Sequence, residues 1–148
     1  MHLIEFHEQT WCPKSLRDAM TDYLQFAEKF GNIYSSVPDL IQKGLDGSGA
    51  NRVVDLCSGG SGPWLRLYDQ FPDVEICLTD LFPKEVAFGH ATEETRGRIQ
   101  FVVTPVNATD VPTELTGFRT MFTAFHHFRP EAARKVLEHA VSKRQGIG

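Results

Sequence analysis

The hydrophobic and polar positions of the chain predict strands and helices in alternation. Val53 and Val54 form a short β-branched run that is typical of a buried strand. A segment rich in small residues follows, and Pro63 then stands where a first helical turn tolerates proline. Apolar residues recur beyond it at helical spacing: Trp64, Leu67, Tyr68 and Phe71. The pattern therefore predicts a strand, a tight loop and a helix.

The same alternation continues to the end of the chain. Further strands are predicted over residues 74–79, 99–103 and 118–124, and helices over 83–90 and from Pro130 to about residue 141. Strands that alternate with helices indicate a parallel sheet with right-handed crossovers. The predicted fold class is therefore α/β, with a Rossmann-like parallel sheet.

The first fifty residues predict helices and no strand. Residues 13–30 carry apolar residues on one face, which predicts an amphipathic helix that ends at Gly31. A shorter helix is predicted over about 38–43, with Ser36 as its candidate N-cap. The composition of residues 45–51, L-D-G-S-G-A-N, predicts a loop. These residues form a helical lead-in ahead of the main sheet.

The loop after the first strand carries the first candidate chemistry. Residues 52–64 are R-V-V-D-L-C-S-G-G-S-G-P-W. The adenosine and tail of a ligand can lie against the main chain only where no Cβ intervenes, which accounts for the small residues. Counted from Cys57, the segment fits the dinucleotide pattern G-x-G-x-x-G with its first glycine replaced. Counted from Asp55, it departs from D-x-G-x-G-x-G. The loop alone leaves the kind of nucleotide open.

Asp80 ends the second predicted strand, 21 residues after Gly59. A carboxylate at this place can accept hydrogen bonds from both hydroxyls of a ribose, at roughly 1.5–3 kcal/mol each. It also repels a 2′-phosphate, which argues against an NADP site. The alternative is that Asp80 caps the next helix, since Pro83 follows at a first-turn position.

The loop over residues 105–112 follows the third predicted strand. Asn107 is placed to hydrogen-bond an adenine amino group, and the Ala108 N–H to meet a ring nitrogen. The alternative is an Asx turn at Asn107 with an N-cap at Thr109 or Asp110. The sequence leaves both interpretations open.

Composition and charge narrow the class of protein. The chain has 148 residues, a formal net charge of −4 and a pI near 5.8, without a Lys and Arg cluster that could follow a phosphate backbone. Its three cysteines, Cys12, Cys57 and Cys77, lack metal-ligand spacing and indicate reduced thiols. No stretch approaches the ~18 apolar residues of a membrane span, and no secretory signal is visible. We therefore expect a cytoplasmic protein that binds neither nucleic acid nor a membrane.

Together these segments resemble the class I S-adenosylmethionine-dependent methyltransferases of the small-molecule type. V-V-D-L-C-S-G-G-S-G-P is similar to the family's first cofactor motif, I-C-L-T-D-L-F to the second, V-N-A-T-D-V-P to the third, and T-A-F-H-H-F to the segment after the fourth strand. The resemblance implies S-adenosylmethionine as the cofactor, a small-molecule methyl acceptor and a strand order of 3-2-1-4. It implies these cofactor-binding residues: Asp55, Cys57, Ser58, Gly59, Gly60, Asp80, Leu81, Asn107, Ala108 and Phe125.

The chain departs from the family pattern at three positions. Cys57 and Ser61 stand where the family has glycines, which narrows the space beside the methionine tail. Asn107 stands where the family usually has Asp. It lacks the charge but can still accept a hydrogen bond from adenine through its carbonyl oxygen.

His126 and His127 are the candidate catalytic residues. Imidazole titrates near neutral pH and can serve as general base for an O- or N-nucleophile. The alternative is that one ring packs and the other is solvated, because in this family the segment often lines the cofactor without taking part in the chemistry.

The resemblance also implies what is absent. The family's sheet has seven strands, and this sequence ends at residues 146–148, about where the fifth would begin. We therefore expect strands 5–7 to be absent, residues 1–50 to form a helical cap and residues 51–148 to form the cofactor half. The fourth strand would then be an unpaired edge. We expect a second copy of the chain or a complementing chain to cover it.

Two other classes of function stay open. An NAD-dependent oxidoreductase is favoured by the pattern counted from Cys57 and by Asp80, and opposed by Asp55 at the end of the first strand. A non-catalytic domain that binds an adenosyl ligand, or acts through association, is favoured by the absent strands.

Overall fold

A four-stranded parallel sheet organises residues 36–148, the part of the chain that the structure, a computed structural model, describes. Val53 lies between Ile76 and Phe118 of the neighbouring strands. Val53 and Val54 are fully buried, as expected of a parallel strand covered on both faces. The strands are β1 (Arg52–Asp55), β2 (Glu75–Leu78), β3 (Ile99–Phe101) and β4 (Phe118–Thr120), in the order β3-β2-β1-β4. The predicted fold class and strand order are confirmed.

Helices connect these strands. The helices are α1 (Val37–Ser48), α2 (Trp64–Leu67), α3 (Glu85–Glu94) and α4 (Pro130–Ser142). Short 3₁₀ turns follow α2 at Tyr68–Gln70 and precede α4 at Phe125–His127. Strand β4 ends at Thr120 and not at the predicted residue 124, and Thr123 beyond it adopts a φ of 52°, outside the strand region.

Helix α1 is longer than the sequence predicted. The prediction of a loop from residue 45 is wrong, because the helix continues to Ser48. Leu45 is buried, and the Ser48 hydroxyl donates hydrogen bonds to the carbonyls of Gly44 and Leu45 at 2.7 and 3.2 Å. A Cβ at Gly44 would collide with the ring of Phe118. The glycine therefore lets α1 approach β4 closely.

The last three residues pair with the outer edge of β4. The Arg119 N–H donates to the Gly146 carbonyl at 2.8 Å, and the Gly148 N–H donates to the Arg119 carbonyl at 3.0 Å. The prediction that this edge is unpaired is therefore wrong. Both glycines fit beside Phe118, since a Cβ would meet its ring at 2.6 Å from Gly146 and 3.1 Å from Gly148. A second copy or complementing chain beyond this edge stays a prediction.

Two apolar groups fix the sheet beneath the carboxyl ends of its strands. The fully buried Trp64 ring packs edge-on against Phe71 and Phe122, with ring centroids 6.0 and 5.9 Å away. A second cluster joins the sheet to α4 and to the loop that precedes β4: Val54, Leu56, Cys77, Val106, Ala108, Val111, Leu115 and Val136.

Some predictions fall on residues that the structure leaves undescribed. The helix predicted over residues 13–30 lies outside the described residues, and the division of the chain near residue 50 stays a prediction. No helix within residues 36–148 is long and apolar enough to cross a membrane. Cys57 and Cys77 are free thiols.

Candidate functional site

The loop between β1 and α2 turns through residues with positive φ. Cys57, Gly59, Ser61 and Gly62 have φ angles of 58°, 58°, 98° and 56°. In this region the Cβ of an L-residue crowds the main chain, which favours glycine. Cys57 and Ser61, which the sequence marked as replacements for glycines, are therefore the two strained positions of the loop.

One side of this loop faces open space. A Cβ built on Gly59 or on Gly60 would meet no atom within 4 Å. Cys57 is partly buried, and burial together with the charges of Asp80 and Asp55 raises the pKa of its thiol to about 11. The loop thus offers a ligand an accessible main chain beside a protonated thiol.

Asp80 lies directly after β2 and holds the loop. Its Oδ2 accepts a hydrogen bond from the Gly59 N–H at 2.8 Å, and its Oδ1 accepts one from the Phe82 N–H at 2.9 Å. Asp80 is not a helix cap, because α3 begins at Glu85. An ionised carboxylate has about four lone-pair sites, so about two stay available for ligand hydroxyls.

Asp55 lies beneath the loop and is only 1% exposed. Its Oδ1 accepts a hydrogen bond from the Thr120 hydroxyl at 2.7 Å, which joins β1 to β4. Burial raises its pKa to about 6, although hydrogen bonds from Ser58 and Thr120 act in the opposite direction. Asp55 therefore supports the loop from below and does not line its open side.

Ser58 and Thr79 connect the loop to β1 and β2. The hydroxyls of both residues donate to the Asp55 carbonyl, at 2.9 Å from Ser58 and 2.8 Å from Thr79. The Ser58 N–H also donates to the Thr79 carbonyl at 3.0 Å. Sequence reasoning missed Thr79 and Thr120 as parts of this support, although each ends, or directly follows, an apolar strand.

The loop after β3 is held beside Asp80 by the Val106 N–H, which donates to the Asp80 carbonyl at 2.8 Å. Asn107 forms the Asx turn that the sequence left open, since its Oδ1 accepts from both the N–H and the hydroxyl of Thr109 at 2.9 Å. The Ala108 N–H has no acceptor among residues 36–148. The Asn107 oxygen expected to accept from a ligand is thus engaged within the turn.

Apolar and aromatic side chains border the same edge of the sheet. Leu81 and Phe125, both predicted to contact the cofactor, are 45% and 41% exposed. His126 and His127 follow in the 3₁₀ turn after β4, and their exposed rings lie 4.0 Å apart between centroids. The carboxyl ends of β1, β2 and β4 thereby bring the predicted residues to one edge, with Asp55 and Ser58 buried underneath.

A buried arginine on β4 is a further feature that sequence reasoning missed. Arg119 is 1% exposed, and its Nη1 lies 2.9 Å from Nδ1 of His139 on α4. Burial and the nearby charges of Arg119 and Lys143 lower the pKa of His139, so a neutral imidazole accepts the hydrogen bond. Nε2 of the same ring lies 3.7 Å from Asp110. Because the imidazole is neutral and 3.7 Å is too long for a hydrogen bond, the contact that joins β4 to α4 is the one between Arg119 and His139.

Two cavities of about 260 and 400 Å³ lie at the opposite, amino-terminal edge of the sheet, and Arg52 and Glu75 line both. No predicted site residue lines either of them. In open parallel sheets ligands bind outside the carboxyl ends of the strands. The carboxyl edge with Asp80 is therefore the candidate functional site.

Comparison with solved structures finds this fold in a methyltransferase. The structure of an O-methyltransferase family protein from Burkholderia thailandensis matches with a TM-score of 0.52 and 20% identity, over 87% of this chain and 40% of that one. PKMT2 from Rickettsia typhi in complex with AdoHcy gives a TM-score of 0.49 and 12% identity, over 67% of this chain and 19% of that one. No family model and no curated protein matches the sequence. This chain spans less than half the length of the Burkholderia thailandensis protein. It has the fold that its resemblance to class I methyltransferases implies.

Proposed function

We propose that this chain binds S-adenosylmethionine at the carboxyl edge of its sheet and takes part in methyl transfer to a small-molecule acceptor. The observation that carries this proposal is Asp80, whose carboxylate is oriented by the Gly59 and Phe82 N–H groups and keeps acceptor sites for a ribose. The fold shared with an O-methyltransferase family protein supports it.

The residues of this edge fit an adenosyl ligand. Asp80 would accept from the ribose hydroxyls, and the open side of Gly59 and Gly60 would admit the ligand against the main chain. The Ala108 N–H would donate to a ring nitrogen of the base. The exposed apolar side chains of Leu81 and Phe125 would cover its faces.

Bound S-adenosylmethionine supplies an activated methyl group. The protein contributes chiefly by positioning the methyl group and the acceptor, which can lower the activation barrier by roughly 7–11 kcal/mol. His126 or His127 would take the proton from the attacking nucleophile of the acceptor. Replacing the active histidine with Gln should lower kcat at least about tenfold and leave cofactor affinity unchanged. If both single variants keep the kcat of the wild type, neither histidine takes part in the mechanism.

The proposal is tested by calorimetric titration of the protein with S-adenosylmethionine, S-adenosylhomocysteine and NAD. We expect micromolar binding of the two adenosyl ligands, at least about tenfold weaker in Asp80→Ala, because a ribose loses its charged acceptor. Asp73→Ala is the matched control, since this exposed carboxylate lies at the amino-terminal edge of the sheet. It should bind like the wild type.

Each other outcome assigns a different function. Binding of NAD in preference to the adenosyl ligands would support the oxidoreductase interpretation. Adenosyl binding without methyl transfer to any acceptor would support the non-catalytic binding domain. No heat with any of the three ligands would refute the proposal.

A further inference from the structure

The larger of the two cavities at the amino-terminal edge of the sheet is lined by polar side chains that the proposed function leaves unused. Its volume of about 400 Å³ is typical of a small-molecule site. The end of α1, the starts of β1 and β2, the loop before β4 and the residues after α4 all contribute to its wall. The polar side chains of this wall include Asn51, Arg52, Glu75, Thr116, Arg144 and Gln145.

Hydrogen bonds hold the wall of this cavity in place. Oε1 of Gln145 accepts from the Gly117 N–H at 2.6 Å, and its Nε2 donates to the Lys143 carbonyl at 3.0 Å. The Glu75 N–H donates to the Asn51 carbonyl at 3.0 Å. The fold therefore fixes the wall, which reduces the entropy that is lost when a ligand binds.

The cavity is positively charged, although the chain has a net charge of −4. Two arginines and one glutamate line it. Nε of Arg52 is buried and has no hydrogen-bond partner among residues 36–148, since the Glu75 carboxylate lies 3.8 Å away. Arg144 is exposed and makes no side-chain hydrogen bond or ion pair within the described part of the chain. Both guanidinium groups therefore have donors that the described residues leave unmatched.

The smaller cavity lacks this surplus of positive charge. Its lining holds two arginines together with two carboxylates, those of Asp73 and Glu75. One of these arginines, Arg98, already donates to the carbonyls of Tyr68 and Phe71, each at 2.9 Å. The larger cavity is therefore the candidate anion site.

We propose that the larger cavity binds the phosphate group of a small molecule, at a site separate from the cofactor site of the carboxyl edge. A guanidinium group matches phosphate oxygens with paired N–H donors, and such charge-assisted bonds are roughly twice as strong as neutral ones. The cavity supplies two guanidinium groups and the neutral donors of Asn51 and Thr116. A phosphate monoester has three acceptor oxygens and a charge of about −1.5 to −2, and it uses these donors more fully than a carboxylate does.

The backbone of Arg144 allows its side chain to be removed without damage to the fold. Arg144 follows α4 at a φ of 54°, in the region that favours glycine, and Arg96 follows α3 at the same φ. At both places the N–H groups of the arginine and of the next residue donate to carbonyls of the last helical turn. Glycine at either position should therefore raise the melting temperature. Because Arg96 does not line the cavity, Arg96→Gly is the matched control for Arg144→Gly.

Calorimetric titration of the full chain with inorganic phosphate, at an ionic strength held constant with chloride, tests the proposal. We expect a Kd of about 1 mM or lower for the wild type, and binding at least about tenfold weaker in Arg144→Gly. Phosphate should raise the melting temperature of the wild type and of Arg96→Gly, and should raise that of Arg144→Gly much less. Asp80→Ala should bind phosphate like the wild type, because Asp80 lies at the opposite edge of the sheet.

Other outcomes would overturn the inference. These are the absence of binding in the wild type, an unchanged Kd in Arg144→Gly, and an equal loss in the two glycine variants, which would show that phosphate responds to net charge and not to the cavity. Tighter binding of succinate than of phosphate would overturn the assignment of a phosphate group. None of these outcomes bears on the proposed cofactor site, which the adenosyl ligands test separately.

Discussion

Replacing Asp55 with Asn should change how the stability of this protein depends on pH. The Asp55 carboxyl is 1% exposed, and burial raises its pKa from 3.8 to about 6. Between these two values the unfolded chain releases a proton that the folded chain retains. The free energy of unfolding therefore falls as the pH rises from about 4 to about 6, and this contribution is constant above that range.

The magnitude follows from the two pKa values. A pKa raised by about 2 pH units, at about 1.36 kcal/mol for each unit, lowers the free energy of unfolding of the wild type by about 3 kcal/mol. The amide introduced by Asp55→Asn would stay neutral at every pH, and its oxygen could still accept from the Thr120 hydroxyl as the Asp55 carboxyl does at 2.7 Å. The variant should thus gain about 3 kcal/mol relative to the wild type between pH 4 and pH 7.

Urea unfolding followed by tryptophan fluorescence measures this difference, since Trp64 is fully buried beside the loop. The difference between variant and wild type is the informative quantity, because the other titrating groups contribute equally to both proteins. Asp69→Asn is the control, because the Asp69 carboxylate is 74% exposed. The free energy of unfolding of this variant should differ from that of the wild type by an amount that changes little with pH. A difference for Asp55→Asn that is constant within about 1 kcal/mol from pH 4 to pH 7 would refute a raised pKa at this site.

Two further predictions concern glycines that permit close approach. Gly117→Ala should lower the free energy of unfolding by about 2–4 kcal/mol, because its φ is 147° and a Cβ would lie 2.5 Å from the Arg52 carbonyl oxygen. In the same urea assay Gly60→Ala should lower the free energy of unfolding by less than about 1 kcal/mol, because a Cβ there meets no atom. Equal losses in Gly60→Ala and Gly117→Ala would contradict the steric argument. Gly44→Ala should lose about 1–3 kcal/mol by collision with the Phe118 ring. That loss should shrink in a Phe118→Leu background, whereas additive losses would show that the collision is not its cause.

The sequence predicted those parts of the fold that depend on local patterns. Asp80 could be located because a short apolar strand ends there at a fixed distance from the glycine loop, and the open side of Gly59 and Gly60 could be anticipated from their lack of a Cβ. The Pro130 start of α4 was also local information. Such features need only neighbouring residues, so a pattern is enough to predict them.

What the sequence did not predict depends on residues that are far apart in the chain. The hydrogen bond from Thr120 to Asp55 spans 65 positions, and nothing near either residue signals it. The pairing of the Gly146–Gly148 segment with β4 depends on the space beside the Phe118 ring. The loop predicted from residue 45 was wrong because Leu45 is buried against the rest of the fold and the helix continues to Ser48, which the glycine-rich composition of the segment does not signal.

Asp80 has two roles, and this affects how any variant of it must be interpreted. Its carboxylate holds the Gly59 N–H at 2.8 Å, within a loop in which Cys57 and Ser61 sit at strained positive φ angles. Removing the side chain therefore releases a strained segment as well as a ribose acceptor, and lost binding in Asp80→Ala would combine the two effects. Asn at this position keeps an oxygen for one N–H while it removes the charge. A loss of affinity in Asp80→Asn with an unchanged melting temperature would therefore isolate the ligand contact from the support of the loop.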